Sequence, residues 1–308
     1  MAFASAFSSR WQGKEIPPCY SAFNATEYLI VQRFTMRGRL PHQGRIHRLR
    51  RKLSGRDLDV LRSLHKVRLL SLRQLQRLHV VDGALGARVR RAQQLLKRLH
   101  GLDLVVRLSR VIGGVRAGSA GFTYGLSGLG QAVLQVDGPL GRRRRRVWET
   151  KPYFQDHMLA VAEFYVQLVE HEREGCADLL QFDGEPACWR RHHGPGGEMS
   201  ILKPDAYVRL GIGDIERSAF VEVDLATESL PTIRRKCQCF IAYWRSGIEQ
   251  RHRSVFPKVV WLVPDERRQE NVASVVLTLP TGSQVLFDVG LLKLGPKVLS
   301  GQDSGEAT

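Results

Sequence analysis

One stretch, from Lys203 to Tyr243, limits the folds open to this chain more than any other. Apolar residues between Tyr207 and Leu210 indicate a strand, and the continuous apolar run from Ala219 to Val223 indicates a second, buried strand. The Gly213-Asp214 pair between them is typical of a hairpin turn. A helix pattern follows directly. The stretch therefore predicts two paired strands and a helix, within a mixed α/β fold.

Acidic side chains accompany both predicted strands. Asp205 lies at the start of the first strand, Glu222 inside the second and Asp224 at its end. Because side chains alternate along a strand, Glu222 and Asp224 lie on one face. A carboxylate among apolar residues is costly unless it is paired, hydrogen-bonded or metal-bound, and convergent carboxylates suit a hard divalent cation. We therefore expect two or three of these carboxylates to converge on a divalent cation such as Mg²⁺.

The order Pro204-Asp205, Glu222 and then a lysine-bearing helix resembles the PD-(D/E)xK nuclease-like superfamily. The wider pattern is Pro-Asp-Ala, then Glu-Val-Asp-Leu-Ala-Thr-Glu-Ser, then a helix with aromatic residues. It resembles the plasmid replication-relaxation proteins over roughly residues 55 to 265. The resemblance implies an N-terminal winged helix-turn-helix followed by a PD-(D/E)xK-like domain with αβββαβ order.

The same resemblance implies roles for individual residues. Asp205 and Glu222 match the two metal-binding acids, which would hold Mg²⁺ or Mn²⁺. Asp224 stands where the superfamily has a lysine, and it would orient a ligand or water. Some members carry that lysine on the next helix, where Lys236 lies, and it would stabilise developing charge. Glu163 matches the acid of the first core helix. The alternatives are a surface glutamate at Glu163 and a solvated lysine at Lys236.

The charge of the chain is divided unevenly. Residues 1–152 hold 30 Lys and Arg against 8 Asp and Glu, a net of +22, whereas residues 153–308 have a net of −5. A basic half joined to an acidic half indicates a nucleic-acid-binding module attached to a second domain. We expect residues 1–53 to be a basic flexible arm and residues 138–152, with five consecutive arginines, to be a linker.

The segment 54–137 has the pattern of a winged helix. Ser54-x-x-Asp57 and Ser71-x-x-Gln74 are capping boxes at the starts of two short helices. A third helix begins near Leu85 and ends near Gly101, and a glycine-tipped hairpin follows. The third helix would be the recognition helix in the major groove of double-stranded DNA. The alternative is a solvated basic face, and winged helices also mediate protein contacts.

Nine side chains are the expected DNA contacts. Six lie on the third helix and three on the hairpin: Arg88, Arg90, Arg91, Gln94, Lys97 and Arg98, then Arg107, Arg110 and Arg116.

We expect residues 153–290 to form the nuclease-like domain and residues 291–308 to be a disordered tail. Within that domain we expect a strand from Leu179 to Trp189 and a polar loop from Arg190 to Glu198. The five cysteines form no CxxC pair and their number is odd, so we expect no disulfide framework. Cys188 with His192-His193 lacks a second pair at zinc spacing. No segment has the length of a membrane span or the form of a signal peptide, so we expect a cytoplasmic protein.

These features favour a DNA-binding protein of plasmid or mobile-element replication or relaxation, with metal-dependent nicking of DNA. Replication or conjugation proteins are the other expected partners, and no membrane is expected. Two alternatives stay open. One is a non-catalytic accessory factor, because the lysine after Glu222 is missing. The other is a winged-helix transcription regulator whose second domain dimerises or senses a ligand.

Overall fold

The computed structural model of the protein describes residues 43–108, 122–138, 152–194 and 197–302. Arg110 and Arg116, the arm up to residue 42, the tail from residue 303 and all but the ends of the Arg-rich segment lie outside the described residues. The described residues belong to one compact unit.

The first part of this unit is mostly helical, with a small antiparallel sheet in the order β1-β3-β2. Its elements are α1 (Gln43–Lys52), α2 (Gly55–Val67), β1 (Leu69–Ser71), α3 (Leu72–His79), α4 (Leu85–Gly101), β2 (Val105–Leu108), β3 (Thr123–Leu126) and α5 (Gly128–Leu134). Both capping boxes are formed as predicted, with the Ser54 and Ser71 side chains accepting from the backbone N–H of Asp57 and Gln74.

The second part is built on a five-stranded sheet in the order β10-β9-β8-β7-β4. Its elements are α6 (Pro152–Arg173), β4 (Asp178–Gly184), β5 (Arg190–His193), β6 (Met199–Leu202), β7 (Ala206–Ile212), β8 (Ile215–Val223), α7 (Leu230–Arg245), α8 (Ile248–Arg253), β9 (Lys258–Val263), α9 (Glu266–Leu277), β10 (Phe287–Leu291) and α10 (Gly295–Ser300). Strands β4, β7 and β8 are antiparallel neighbours, and β8, β9 and β10 run parallel. The predicted α+β fold class is confirmed.

The two faces of β8 serve different layers. Val221 and Val223 pack with α6 and with the helices of the first part in one hydrophobic cluster. Phe220 packs on the opposite face with α7 and α9. Because side chains alternate along the strand, Glu222 also lies on the α7 face. The sheet is therefore a middle layer, and the first part of the unit shares a core with it.

Three expectations need correction. Residues 43–52 are a helix rather than flexible arm, because Ile46 and Leu49 are buried one helical turn apart. Residues 291–302 are ordered structure rather than tail: Leu299 is buried, and Gly295 lies so close to Phe164 that an added Cβ would be 2.8 Å from its ring. The expected loop after Trp189 is a two-stranded ribbon of β5 and β6.

No helix in the described part of the chain combines the length and the apolar character that a membrane crossing requires.

Gly184 on β4 lies close to the backbone of α2 in the first part. A Cβ there would lie 2.7 Å from the backbone carbonyl oxygen of Lys66. The backbones at Gly184 and Lys66 must move apart to accommodate this Cβ atom. We therefore expect Gly184→Ala to lower the free energy of unfolding by about 1–3 kcal/mol. Urea unfolding measures this. Gly86→Ala is the control, because open space surrounds that helical glycine, and it should not destabilise. Equal stability of Gly184→Ala and the parent would contradict this packing.

His79, at the end of α3, makes stability depend on pH. Its Nε2 lies 3.1 Å from Ser63 Oγ, and burial lowers the pKa of the imidazole to about 4. As pH falls, the unfolded chain therefore takes up a proton on His79 near pH 6.5, whereas the folded chain takes it up only near pH 4. The contribution of neutral His79 to the free energy of unfolding is fully present above pH 6.5. It is lost as pH falls towards 4, by up to about 3 kcal/mol. Denaturant unfolding at several pH values should show a flatter profile for His79→Gln. The exposed His47→Gln serves as control, and identical profiles for all three proteins would contradict the assignment.

Candidate active site

A cluster of buried charged side chains lies at the carboxyl end of β8. Asp205 precedes β7, Glu222 is the penultimate residue of β8, and Asp224 follows that strand. All three are buried. Helix α7 adds Lys236 from one side of the sheet, and α6 adds His157 from the other. Four of the five residues predicted for the catalytic site therefore meet at one edge of the sheet.

Asp205 is held by donors on both oxygens. The Nε2 of His157 lies 3.0 Å from Oδ1, and the backbone N–H of Val223 donates to Oδ2 at 2.8 Å. Burial would raise the pKa of Asp205, but the His157 charge, these hydrogen bonds and Lys236 hold that pKa below its ordinary value. Burial likewise opposes the charge on His157, yet Asp205 raises the His157 pKa to about 8. The pair is therefore ionic at neutral pH.

Lys236 joins two carboxylates. Its Nζ donates to Glu222 Oε2 at 3.0 Å and to Glu228 Oε1 at 2.7 Å. Burial raises the pKa of Glu222 to about 8; Lys236 opposes the shift, and the charge of Asp205 adds to it. The pKa of Lys236 is raised, since Glu222, Asp205 and Glu228 outweigh its burial. Two neighbouring acids whose pKa values move in opposite directions are typical of catalytic sites.

Asp224 has a different partner from Glu222. Arg268 on α9 donates through Nε to Asp224 Oδ2 at 2.5 Å, and its Nη2 donates to the Glu228 carbonyl oxygen at 2.6 Å. Asp224 Oδ1 and Glu228 Oε2 are buried without a hydrogen-bond partner in the described part of the chain. These two oxygens face inward with unused acceptor capacity.

A small cleft opens beside Asp205 and reaches the first part of the unit. His157 and Glu185 line it together with Lys66 to Arg68, at the end of α2. Arg68 Nη1 lies 3.5 Å from Glu185 Oε2, and burial raises the pKa of Glu185, with the Asp205 charge adding to the shift. Arg68, from the helical first part, thus places a positive charge in the wall of the cleft.

Glu163 does not join the cluster. It pairs with Arg77 of α3, and its Oε2 accepts from Gln74 Nε2 at 3.0 Å. Arg77 also pairs with Glu170, so these acids fasten α6 to α3. The helical residue at the cluster is His157, six positions earlier and therefore on a different face of α6.

The sequence did not reveal Arg68, Glu185, Glu228 or Arg268 as members of the site. Each reaches it through contacts between distant segments; Arg268 is 44 residues from Asp224. No local spacing signals such a pair.

The donor chemistry of the cluster fits a hard cation. Mg²⁺ is commonly bound by one or two carboxylates while it retains several waters. Asp205 and Glu222 provide two, and the buried, unpartnered Asp224 Oδ1 is a further oxygen at the same strand end. Asp205, Glu222 and Asp224 do not all converge on one point. Across the described residues, these carboxylates form no group of three whose ligand atoms all lie within 4.8 Å of one another. The fit is therefore to a two-carboxylate site.

The predicted DNA-contacting residues of α4 are mostly on its outer face. Arg90, Arg91, Gln94 and Lys97 are exposed, and Arg88 is half-buried. Arg88 donates to the carbonyl oxygen of Val81 at 3.3 Å, and Arg91 donates to that of Asp82. These contacts brace the loop before α4. Arg107 on β2 is exposed and stacks 4.2 Å from the centre of the Phe122 ring.

Arg98 has a structural partner that the helix pattern does not indicate. It pairs with Asp57, whose side chain is fully buried within the capping box of α2. To contact Arg98, a DNA phosphate would have to compete with Asp57 for its guanidinium group.

Comparison with known protein families gives a match. A family model described as replication-relaxation matches residues 61–259, which include α3, α4 and the whole acid cluster up to Lys236. No curated protein matches the chain.

Proposed function

Because the chain belongs to the replication-relaxation family, we propose that it binds DNA in plasmid or mobile-element replication or relaxation, and that its acid cluster nicks DNA with Mg²⁺ or Mn²⁺. The observation that carries the proposal is the meeting of Asp205, Glu222 and Lys236 at one buried strand end beside a basic helical part.

DNA binding is assigned to the first part of the unit, a winged helix with α4 as its recognition helix. The element order helix, strand, helix, helix and two-stranded hairpin supports this. So do the exposed Arg90, Arg91 and Lys97 along α4 and the high positive charge of residues 1–152. DNA is a polyanion, so these cations would replace counterions on its backbone.

Arg90→Ala tests the recognition helix. An exposed arginine on α4 that contacts a phosphate adds about one unit to the slope of log affinity against log salt. We expect the variant to bind duplex DNA more weakly at every sequence and to lower that slope by about 1. Fluorescence anisotropy over a salt series measures both. Arg209→Ala is the matched control, since Arg209 pairs with Glu216 at 2.6 Å on the five-stranded sheet. Equal slopes for both variants and the parent would contradict the assignment.

The order α6, β4, β7, β8, α7, β9 supports a PD-(D/E)xK-like core, apart from the inserted β5–β6 ribbon. Asp205 and Glu222 would hold the divalent ion, which when bound supplies an acidified water and neutralises the scissile phosphate. His157 keeps Asp205 charged and oriented. Lys236 stabilises negative charge beside Glu222. Asp224 would orient a ligand or water, and Arg68 at the cleft is suited to contact a phosphate oxygen.

Nicking is tested with purified protein and supercoiled plasmid. We expect conversion to open circles when Mg²⁺ or Mn²⁺ is present and none when EDTA is added. Intact supercoils at every metal concentration would contradict the catalytic part of the proposal and leave the binding part standing.

A second candidate is a non-catalytic accessory factor that binds an origin or transfer site. The observation in its favour is that the charges of the cluster are already matched: Lys236 bridges Glu222 and Glu228, and Arg268 pairs with Asp224. Footprinting on plasmid DNA, combined with absence of nicking, would select this candidate.

A further inference from the structure

A second cluster of metal-ligating side chains lies at the opposite end of α6 from the acid cluster. His171, Glu174 and Cys176 each offer one ligand atom, and the three atoms all lie within 4.8 Å of one another. Across the described residues, this is the group of three that meets that spacing. It takes no part in the function proposed above.

The turn after α6 brings the three residues together. Gly175 adopts a φ of +72°, a conformation that favours glycine, and reverses the chain direction. The N–H of Cys176 then donates to the carbonyl oxygen of His171 at 3.2 Å. The spacing His-x-x-Glu-x-Cys is thereby folded onto one helix end.

His171 provides an independent sign of a missing ligand. It is 8% exposed, and its Nε2 is buried with no hydrogen-bond partner among the residues described. A buried imidazole nitrogen without a partner is costly, and metal binding is one way to satisfy such a ring. Glu174 and Cys176 are exposed, so an ion can enter from solvent.

We propose that His171, Glu174 and Cys176 bind one Zn²⁺ ion, with water in the fourth position. Imidazole, carboxylate and thiolate ligands are those that zinc prefers, whereas Mg²⁺ prefers oxygen alone. His157 and His171 are 14 positions apart, which spans roughly 21 Å of helix, so this ion is separate from one at the acid cluster.

The neighbouring contacts give the site a structural role. Arg173 donates to the carbonyl oxygen of Arg77 at 2.7 Å, and Glu172 accepts from the N–H of Leu179 at 2.9 Å. The turn thus touches both α3 and β4. Zinc there fixes the end of α6 where the helical part meets the sheet.

The test uses the full chain. Protein stripped with a chelator is titrated with Zn²⁺ by calorimetry, and with Co²⁺ to detect the charge-transfer absorption of a cobalt–thiolate bond. We expect one Zn²⁺ per chain whose binding depends on Cys176, a cobalt–thiolate band and a rise in melting temperature on adding zinc. Cys176→Ser should lose the band and bind zinc at least about tenfold more weakly. Glu174→Gln should keep the band with weaker binding.

Cys239→Ser is the matched control, because Cys239 lies on α7 and should leave the band intact. Cys176 is exposed, so its substitution leaves the core unchanged. Absence of zinc binding in the parent, or a band that persists in Cys176→Ser, would overturn the proposal. Plasmid nicking by Cys176→Ser should equal that of the parent, so the result here is independent of the acid cluster.

Discussion

Asp205→Asn is expected to reduce plasmid nicking by about 10²- to 10³-fold while the protein stays folded. The amide has nearly the shape of the carboxylate, so the acceptor contact with the N–H of Val223 can persist. It lacks the negative charge that a divalent ion requires, and it no longer holds His157 protonated. Removing a group that supports charge in the transition state typically costs rate by factors of this order. First-order rates of supercoil loss at saturating Mg²⁺ measure the effect.

Glu216→Gln is the control for this experiment. Glu216 lies on β8, the strand that carries Glu222, but it is exposed and pairs with Arg209. Its nicking rate should match that of the parent. Circular dichroism and DNA affinity, measured on all three proteins, separate loss of chemistry from loss of fold. An Asp205→Asn variant as active as Glu216→Gln would remove Asp205 from the mechanism.

Phe220→Ala is expected to lower the free energy of unfolding by about 3–5 kcal/mol. Phe220 is fully buried on β8, and its ring centre lies 5.4–6.4 Å from those of Tyr207, Phe240, Tyr243 and Phe256. The truncation leaves a cavity that these four rings cannot close without moving. Chemical denaturation gives the value.

Leu277→Ala is the matched control, because Leu277 on α9 is 72% exposed and its loss should change stability by less than about 0.5 kcal/mol. Similar values for the two variants would mean that the aromatic residues do not form the core described.

Local signals in the sequence predicted much of the fold. The capping boxes at Ser54 and Ser71 depend on residues three apart, and both are formed. The hairpin at Gly213-Asp214 and the buried strand around Glu222 follow from turn chemistry and apolar runs. Each needs information from fewer than ten residues, which is why it can be read directly.

The errors came from contacts between distant segments. The basic stretch 43–52 is helical because Ile46 and Leu49 reach the core, and because Arg50 pairs with Asp137 at 2.9 Å. Glu163 lies on the helix where the resemblance expects an acid, but the packing of α3 on α6 pairs it with Arg77 instead.

Within the candidate site the same division holds. The strand period predicted that Glu222 and Asp224 share a face, and their partners lie on α7 and α9 accordingly. Arg68 and Glu185 come from segments 117 residues apart, and no periodic pattern links them. The sequence therefore identifies the acidic residues of such a site but not the basic side chains that pair with them.

The most direct test of the central claim, that Asp205 and Glu222 hold a divalent ion, is Mn²⁺ binding measured by electron paramagnetic resonance. Parent and Glu222→Gln proteins are compared in a Cys176→Ser background, which removes the thiolate of the other site. We predict one bound Mn²⁺ per chain and at least about tenfold weaker binding for Glu222→Gln. Equal Mn²⁺ affinity in the two proteins would contradict the claim.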